Sequence, residues 1–151
     1  MTKPGYDDIA DWYEDEFLNQ GRTFAAIGVT GALRELLGQG TGACLELGCG
    51  TGTHAEVVAD LGWTPVGVDL SAGMLARARG RLPAARADAE RLPVRDAAVS
   101  AACAVMVHTD TPDYPAVLRE AARVLRPGGT FVHVGVHPCF CDDSDRLTTL
   151  D

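Results

Sequence analysis

The sequence has no apolar run long enough to cross a bilayer; its longest, residues 97–107, is too short and is broken by Ser100. Residues 1–17 are polar and acidic, with no cationic segment leading into an apolar one, so no signal peptide is expected. Clustered Lys and Arg are also missing. With 13 basic and 21 acidic residues, the formal net charge is −8. That disfavours a nucleic-acid phosphate track and gives no reason to expect an anionic lipid surface. Neither nucleic acid nor membrane is therefore an expected partner. Five cysteines, an odd number scattered through core-like segments, fit reduced thiols in a cytoplasmic protein better than a disulfide framework. Internal repeats and low-complexity linkers are absent.

What is present is ordinary globular sequence, 46% hydrophobic and 23% charged over 151 residues, one domain's worth with room for a substantial core. Much of the acid lies at the two ends, in Asp7, Asp8, Asp11, Glu14, Asp15 and Glu16 and in Asp142, Asp143 and Asp145, and reads as solvated surface.

Residues 8–18 read as a helix with Ile9, Trp12, Tyr13 and Phe17 near one face, and residues 23–37 as a second helix ending at Gly38. From residue 43 the texture changes. A short apolar strand, 43–47, enters the turn Gly48-Cys49-Gly50-Thr51-Gly52, and a helix over 53–61 leads to a strand at 65–69. Ser71 fits the N-cap of a helix carrying Met74, Leu75, Ala78 and Leu82. A weak strand at 84–88 follows, then a nearly continuous apolar one at 98–107, as expected of a parallel strand buried on both faces. Thr111-Pro112 should open the next helix, and the turn Pro127-Gly128-Gly129 should lead to a fifth strand over 130–136. The alternation implies an α/β fold, a doubly wound and mostly parallel sheet with helices on both faces.

Glycines at 48, 50 and 52 let the backbone turn tightly off the first strand and approach a ligand closely. Asp69 ends the second strand, near the spacing of roughly 20 residues expected of a ribose-binding acid. A carboxylate there can accept bonds from two vicinal hydroxyls. The nicotinamide dinucleotide reading fits less well, because Thr53 stands where G-x-G-x-x-G needs glycine.

Four ordered segments carry a resemblance: residues 45–52, 66–75, 87–93 and 123–129. Together they resemble the class I S-adenosylmethionine-dependent methyltransferases, especially small-molecule enzymes related to the quinone-biosynthesis C-methyltransferases. Residues 6–13 also resemble that group's opening helix. The resemblance implies a helical cap over 1–40, a cofactor-binding Rossmann-like core over 41–137 and a polar tail over 138–151. It gives Glu46 and the turn residues Gly48, Cys49, Gly50 and Gly52 to the methionine end of S-adenosylmethionine. Asp69 would hold the ribose hydroxyls, with Leu70 and Met74 beside the adenosine. Asp88 would accept from the adenine amine, and Ala89 would meet its edge through the backbone. Tyr13, and Tyr6 with it, would close over the cofactor, and residues 106–108, starting at Met106, would line the route to the sulfonium. S-Adenosylhomocysteine would be the product, and a small molecule methylated on O, N or C the acceptor.

Two departures matter. Ser100 stands where the family often has Asp, and the family's C-terminal antiparallel strand pair is missing. The fifth strand would then be an apolar sheet edge, expected to be covered by further chain in a longer protein or by a second copy in a homodimer. A non-catalytic cofactor-binding domain is the rival reading. His108, after the fourth strand, is the candidate catalytic base, or a residue that shapes the pocket. His54 reads as a first-turn helix residue. His133, His137, Cys139 and Cys141 are dense enough to suggest zinc, but too crowded for tetrahedral binding beside Pro138, so no metal is expected.

Overall fold

A computed structural model describes residues 5–18, 24 and 27–136. Its elements in chain order are α1 (Tyr6–Trp12), a π-helical turn (Tyr13–Phe17), α2 (Val29–Leu37), β1 (Ala43–Leu47), α3 (Ala55–Asp60), β2 (Thr64–Asp69), α4 (Ala72–Ala78), β3 (Ala84–Arg86), β4 (Val99–Val105), α5 (Tyr114–Val124) and β5 (Leu125–Val134). The five strands form one parallel sheet in the order β3-β2-β1-β4-β5. No antiparallel pair occurs among the described residues.

The pleat of the inner strands sorts the core into two layers. On β4, Ala101, Cys103 and Val105 pack with Leu33, Leu37, Val57 and Val58 of α2 and α3. The alternate residues Ala102 and Ala104 pack with Leu45 and Leu47 of β1 and with Val117, Ala121 and Val124 of α5. Residues 101–104 of β4 are small and fully buried. Small side chains there let helices approach the sheet from both faces. Leu33, Leu47, Val117 and Val124 are also fully buried, each contributing about 1.5–3 kcal/mol by burial.

Several boundaries shift by one or two residues, and three differ from the sequence expectation by three residues or more. Helix α2 begins at Val29, because Gly28 takes φ +82° and cannot continue a right-handed helix. Its C-terminus is as expected, with the Gly38 amide donating to the Arg34 carbonyl at 3.1 Å. Helix α5 opens two residues after Pro112: Asp113 is the cap, its carboxylate accepting from the Ala116 amide at 3.0 Å, and Pro115 takes the proline position of the first turn. The Pro127-Gly128-Gly129 turn lies within β5, looped out where pairing jumps from Val99 with Leu125 to Ala101 with Thr130. The first helix also changes pitch at Tyr13, and it leaves Ile9 and Trp12 exposed while Ala10 is the residue it buries.

Candidate active site

The strand order reverses direction between β1 and β4, and open α/β sheets bind ligands at that switch point, beyond the carboxyl ends of the strands. A cleft of about 370 Å³ lies there. Its floor is the glycine turn after β1, where Gly48, Gly50 and Gly52 have φ of +67°, +53° and +77°. These are left-handed values that a side chain would strain. One wall is the end of β2, where each oxygen of the Asp69 carboxylate accepts one amide: Oδ2 from Gly50 and Oδ1 from Ser71, both at 2.8 Å. Asp69 thus ties the turn after β1 to the start of α4. Burial raises its pKa above the ordinary aspartate range, opposed by those two amide bonds.

Ser71 caps α4 as expected, its Oγ accepting from the Met74 amide at 3.1 Å. The same hydroxyl donates to Asp7 Oδ1 at 2.6 Å, and the Gly73 amide donates to that oxygen at 3.0 Å. The N-terminal helix is held against α4 by these bonds, by Arg77 with Asp11 and Asp15, and by Arg81 with Glu14. Tyr6 and Tyr13 thereby reach the cleft, their rings edge to face at 6.1 Å. Burial pushes the Tyr13 hydroxyl up to about 12.

At the bottom of the cleft Glu46 interrupts an otherwise apolar strand and is only 3% exposed. Its Oε1 accepts from His54 Nδ1 at 3.0 Å, and its Oε2 is buried without a partner, as is His54 Nε2. Cys49 packs under the turn, and burial, with the Glu46 and Asp69 charges, raises its thiol pKa strongly, which keeps it protonated and a poor nucleophile. The opposite wall is Met106 and Val107, where Met106 adopts φ +60°, rare for a side-chain-bearing residue and common where function bends the backbone.

The cleft brings together eleven of the sequence-derived cofactor residues: Tyr13, Glu46, Gly48, Cys49, Gly50, Asp69, Leu70, Met74, Asp88, Ala89 and Met106. Two candidates lie elsewhere. Gly52 is outside the lining, and a Cβ there would come within 2.5 Å of Leu82 Cδ2, so its smallness serves packing. His108 sits one residue beyond the lining, with its ring 5.2 Å from His133 and its buried Nδ1 unpartnered. His133 bonds through Nδ1 to the Tyr114 hydroxyl at 2.6 Å. His137, Cys139 and Cys141 lie outside the described residues. Sequence reasoning missed His54 as a site residue. A buried acid in an apolar strand needs a donor, and a histidine just past the adjacent turn was the available signal. Glu90 also lines the cleft and stands within the 87–93 segment, where sequence reasoning singled out Asp88 and Ala89 alone; Asp110 belongs to none of the four segments.

Comparison with known proteins adds the following. A family described as a methyltransferase domain matches residues 45–133. The chain is 36% identical over 104 residues to malonyl-[acyl-carrier protein] O-methyltransferase of Serratia marcescens, covering 64% of this chain and 41% of that protein. It is 40% identical over 89 residues to demethylmenaquinone methyltransferase of Mycolicibacterium gilvum, covering 58% and 39%. An S-adenosylmethionine-dependent methyltransferase of Thermotoga maritima, described as a possible histamine N-methyltransferase, superposes with a TM-score of 0.68 at 29% identity, covering 84% of this chain and 58% of that one. The chain spans about two fifths of the length of those two curated relatives.

Proposed function

This chain belongs to the class I S-adenosylmethionine-dependent methyltransferase family, and on that premise we propose that it binds S-adenosylmethionine in the cleft and moves its methyl group to a small-molecule acceptor. The observation that carries the reading is the Asp69 carboxylate, fixed by the Gly50 and Ser71 amides at the edge of the cleft. Each oxygen keeps lone-pair capacity for a hydroxyl, which suits the vicinal pair of a ribose. The residues present fit the rest of the molecule. Leu70, Met74 and Ala87 give apolar surface for a purine, with Asp88 and Ala89 at its edge, and the unpartnered Glu46 Oε2 suits the methionine ammonium.

S-Adenosylmethionine supplies an electrophilic methyl on a sulfonium, displaced in line by the acceptor with the thioether leaving. The chain's own contribution is mainly positioning. Met106 and Val107 would form the wall past which the acceptor comes, and Tyr6 and Tyr13 would exclude water above. Where the acceptor arrives protonated, His108 would have to turn into the cleft from its place beside His133 and Tyr114 to take the proton. The buried thiols of Cys44, Cys49 and Cys103 suit a reducing cytoplasm, and no helix among the described residues is long and apolar enough to cross a membrane.

Titration calorimetry with S-adenosylmethionine, S-adenosylhomocysteine and NAD tests the reading. Binding of the two sulfur compounds and not of NAD is expected; heat from NAD alone would sink it.

A further inference from the structure

The acid at the N-terminus does more than solvate the surface. Asp7, Asp11, Glu14 and Asp15 recur at i, i+4, i+7 and i+8, one face of a helix, and that face lies on α4 and the turn that ends it. The approach is close: a Cβ on Gly73 would come within 3.2 Å of the Ala10 Cβ and of the Asp7 carbonyl oxygen. Arg77 pairs with Asp11 and Asp15, and those bonds stay between the two helices. Arg81 reaches further.

Arg81 stands three residues past the end of α4, where Gly80 takes φ +84° and the Arg81 amide donates to the Ala78 carbonyl at 3.0 Å. That turn fixes the base of the side chain, and the guanidinium forks. Nη1 donates to the Thr51 carbonyl at 2.8 Å, and Nη2 donates to Glu14 Oε1. Thr51 is the middle residue of the glycine turn, and it is buried. Asp69, which lines the cleft, braces this turn through the Gly50 amide; Arg81, which does not line it, braces the next residue. The Arg81 guanidinium holds the Glu14 carboxyl below the usual carboxylate range, and the Thr51 hydroxyl acts the same way against burial. Glu14 is therefore charged at neutral pH. A side chain bonded to helix and turn at once makes the position of one depend on the other.

We propose that Arg81 is a positioning residue for methyl transfer, whose fork couples the seating of the N-terminal helix to the glycine turn, so that the turn grips the donor while the helix is docked and slackens when it lifts. The proposal rests on the reading of this cleft as the donor site. Tyr6 and Tyr13 line the cleft from the same N-terminal segment, so one motion would open the mouth and loosen the floor together. Arginine suits the task, because its planar group offers several N–H donors in a fixed fork. With side chains 43% and 15% exposed, Arg81 and Glu14 form a pair that solvent and salt partly screen, strong enough to bias the helix and weak enough to release it.

The test reads the turn directly, in the full chain without ligand. Three of its amides are bonded, Cys49 to the Val68 carbonyl, Gly50 to Asp69 and Gly52 to the Cys49 carbonyl, so loosening appears as faster hydrogen exchange there. Glu14→Gln keeps an acceptor for the Thr51 hydroxyl and loses the charge that pairs with Arg81. It should speed exchange of those three amides, relative to the amides of β4, by about two- to fivefold, the yield of a partly screened ion pair. Arg81→Gln should do at least as much, and the double variant no more than Arg81→Gln alone. Added salt should speed the wild-type turn and leave Glu14→Gln nearly unmoved, a measurement that stands should Arg81→Gln fold poorly. A residue that merely staples the helix would leave the turn unmoved in Glu14→Gln, and that result, or effects that simply add, overturns the proposal. Stopped-flow release of S-adenosylhomocysteine should quicken in step with turn exchange. A loosened turn in a protein that binds no S-adenosylhomocysteine removes only the methyl-donor assignment, and tight binding with an unmoved turn removes only the coupling.

Discussion

The hydroxyl of Tyr6 donates to Asp110 Oδ2 across 2.8 Å, joining residues 104 positions apart over the mouth of the cleft. The bond fastens the N-terminal helix to the loop after β4, and burial, with the Asp110 carboxylate, raises the Tyr6 pKa so that the hydroxyl stays a donor. Tyr6→Phe should leave the fold intact and speed the release of S-adenosylhomocysteine by about 2–10-fold, the equivalent of one ordinary hydrogen bond of 0.5–1.5 kcal/mol. Stopped-flow displacement checks this. A release rate equal to wild type would show that the bond does not hold the helix over the ligand.

Asp69→Ala should weaken S-adenosylhomocysteine binding by roughly 2–4 kcal/mol, since charge-assisted bonds contribute about 1.5–3 kcal/mol each and are not additive. The same change frees the Gly50 and Ser71 amides, so the glycine turn should also loosen. Calorimetry reporting less than a tenfold rise in dissociation constant would mean that this acid does not meet the ribose.

Burial raises the Asp69 pKa, and the sign of the pH effect follows. Hydroxyls donate to the ionised form, so affinity should fall as pH drops through that raised value, sooner than with an ordinary aspartate. Folding stability runs the other way. The folded acid keeps its proton where the unfolded one has lost it, so this contribution is present in acid and is lost as pH rises through the window just above the ordinary aspartate range. Affinity measured from about pH 4 to pH 7 on wild type and Asp69→Asn decides it. An acid limb that persists unchanged in the variant belongs to another group.

Two glycines of one turn should respond differently. A Cβ on Gly52 would lie 2.5 Å from Leu82 Cδ2, away from the cleft, while one on Gly48 would lie 2.8 Å from Val107 Cγ2 in the cleft wall. Gly52→Ala should cost about 1–3 kcal/mol of stability from overpacking and left-handed strain, with nearly unchanged affinity of the folded fraction. Gly48→Ala should lose affinity as well. Thermal unfolding paired with calorimetry separates them, and equal losses of affinity would contradict the division of roles.

Among the described residues β5 pairs on one side only, with β4, and it carries the half-buried Phe131 and Val134 toward that edge. An unpaired apolar edge favours association with a second copy. Sedimentation of residues 1–151 should show a dimer or larger species that grows with concentration. A monomer throughout a wide concentration range would show that the edge is tolerated.

Local chemistry made much of this protein legible in its residues. Short apolar runs marked β1, β2 and β4, because a strand buried on both faces needs continuous apolar side chains. The glycines at 48, 50 and 52, Asp69 at a strand end and Ser71 as a cap are features whose physics acts within a few residues. Boundaries were less legible for the same reason: Pro112 and Pro115 suit a helix start equally, and only the geometry of Asp113 chose between them.

Tertiary structure alone decided what crosses between elements. It paired Glu46 with His54, turning a first-turn histidine into a wall of the site, and it moved Gly52 from ligand cradle to packing contact. It also gathered five carboxylates, scattered singly from residue 46 to residue 110, around one cleft that no Lys or Arg of the described residues lines. Sequence position records each charge separately. The field they make together depends on distance in space, and that is set by the crossovers that bring the carboxyl ends of β2, β1 and β4 side by side.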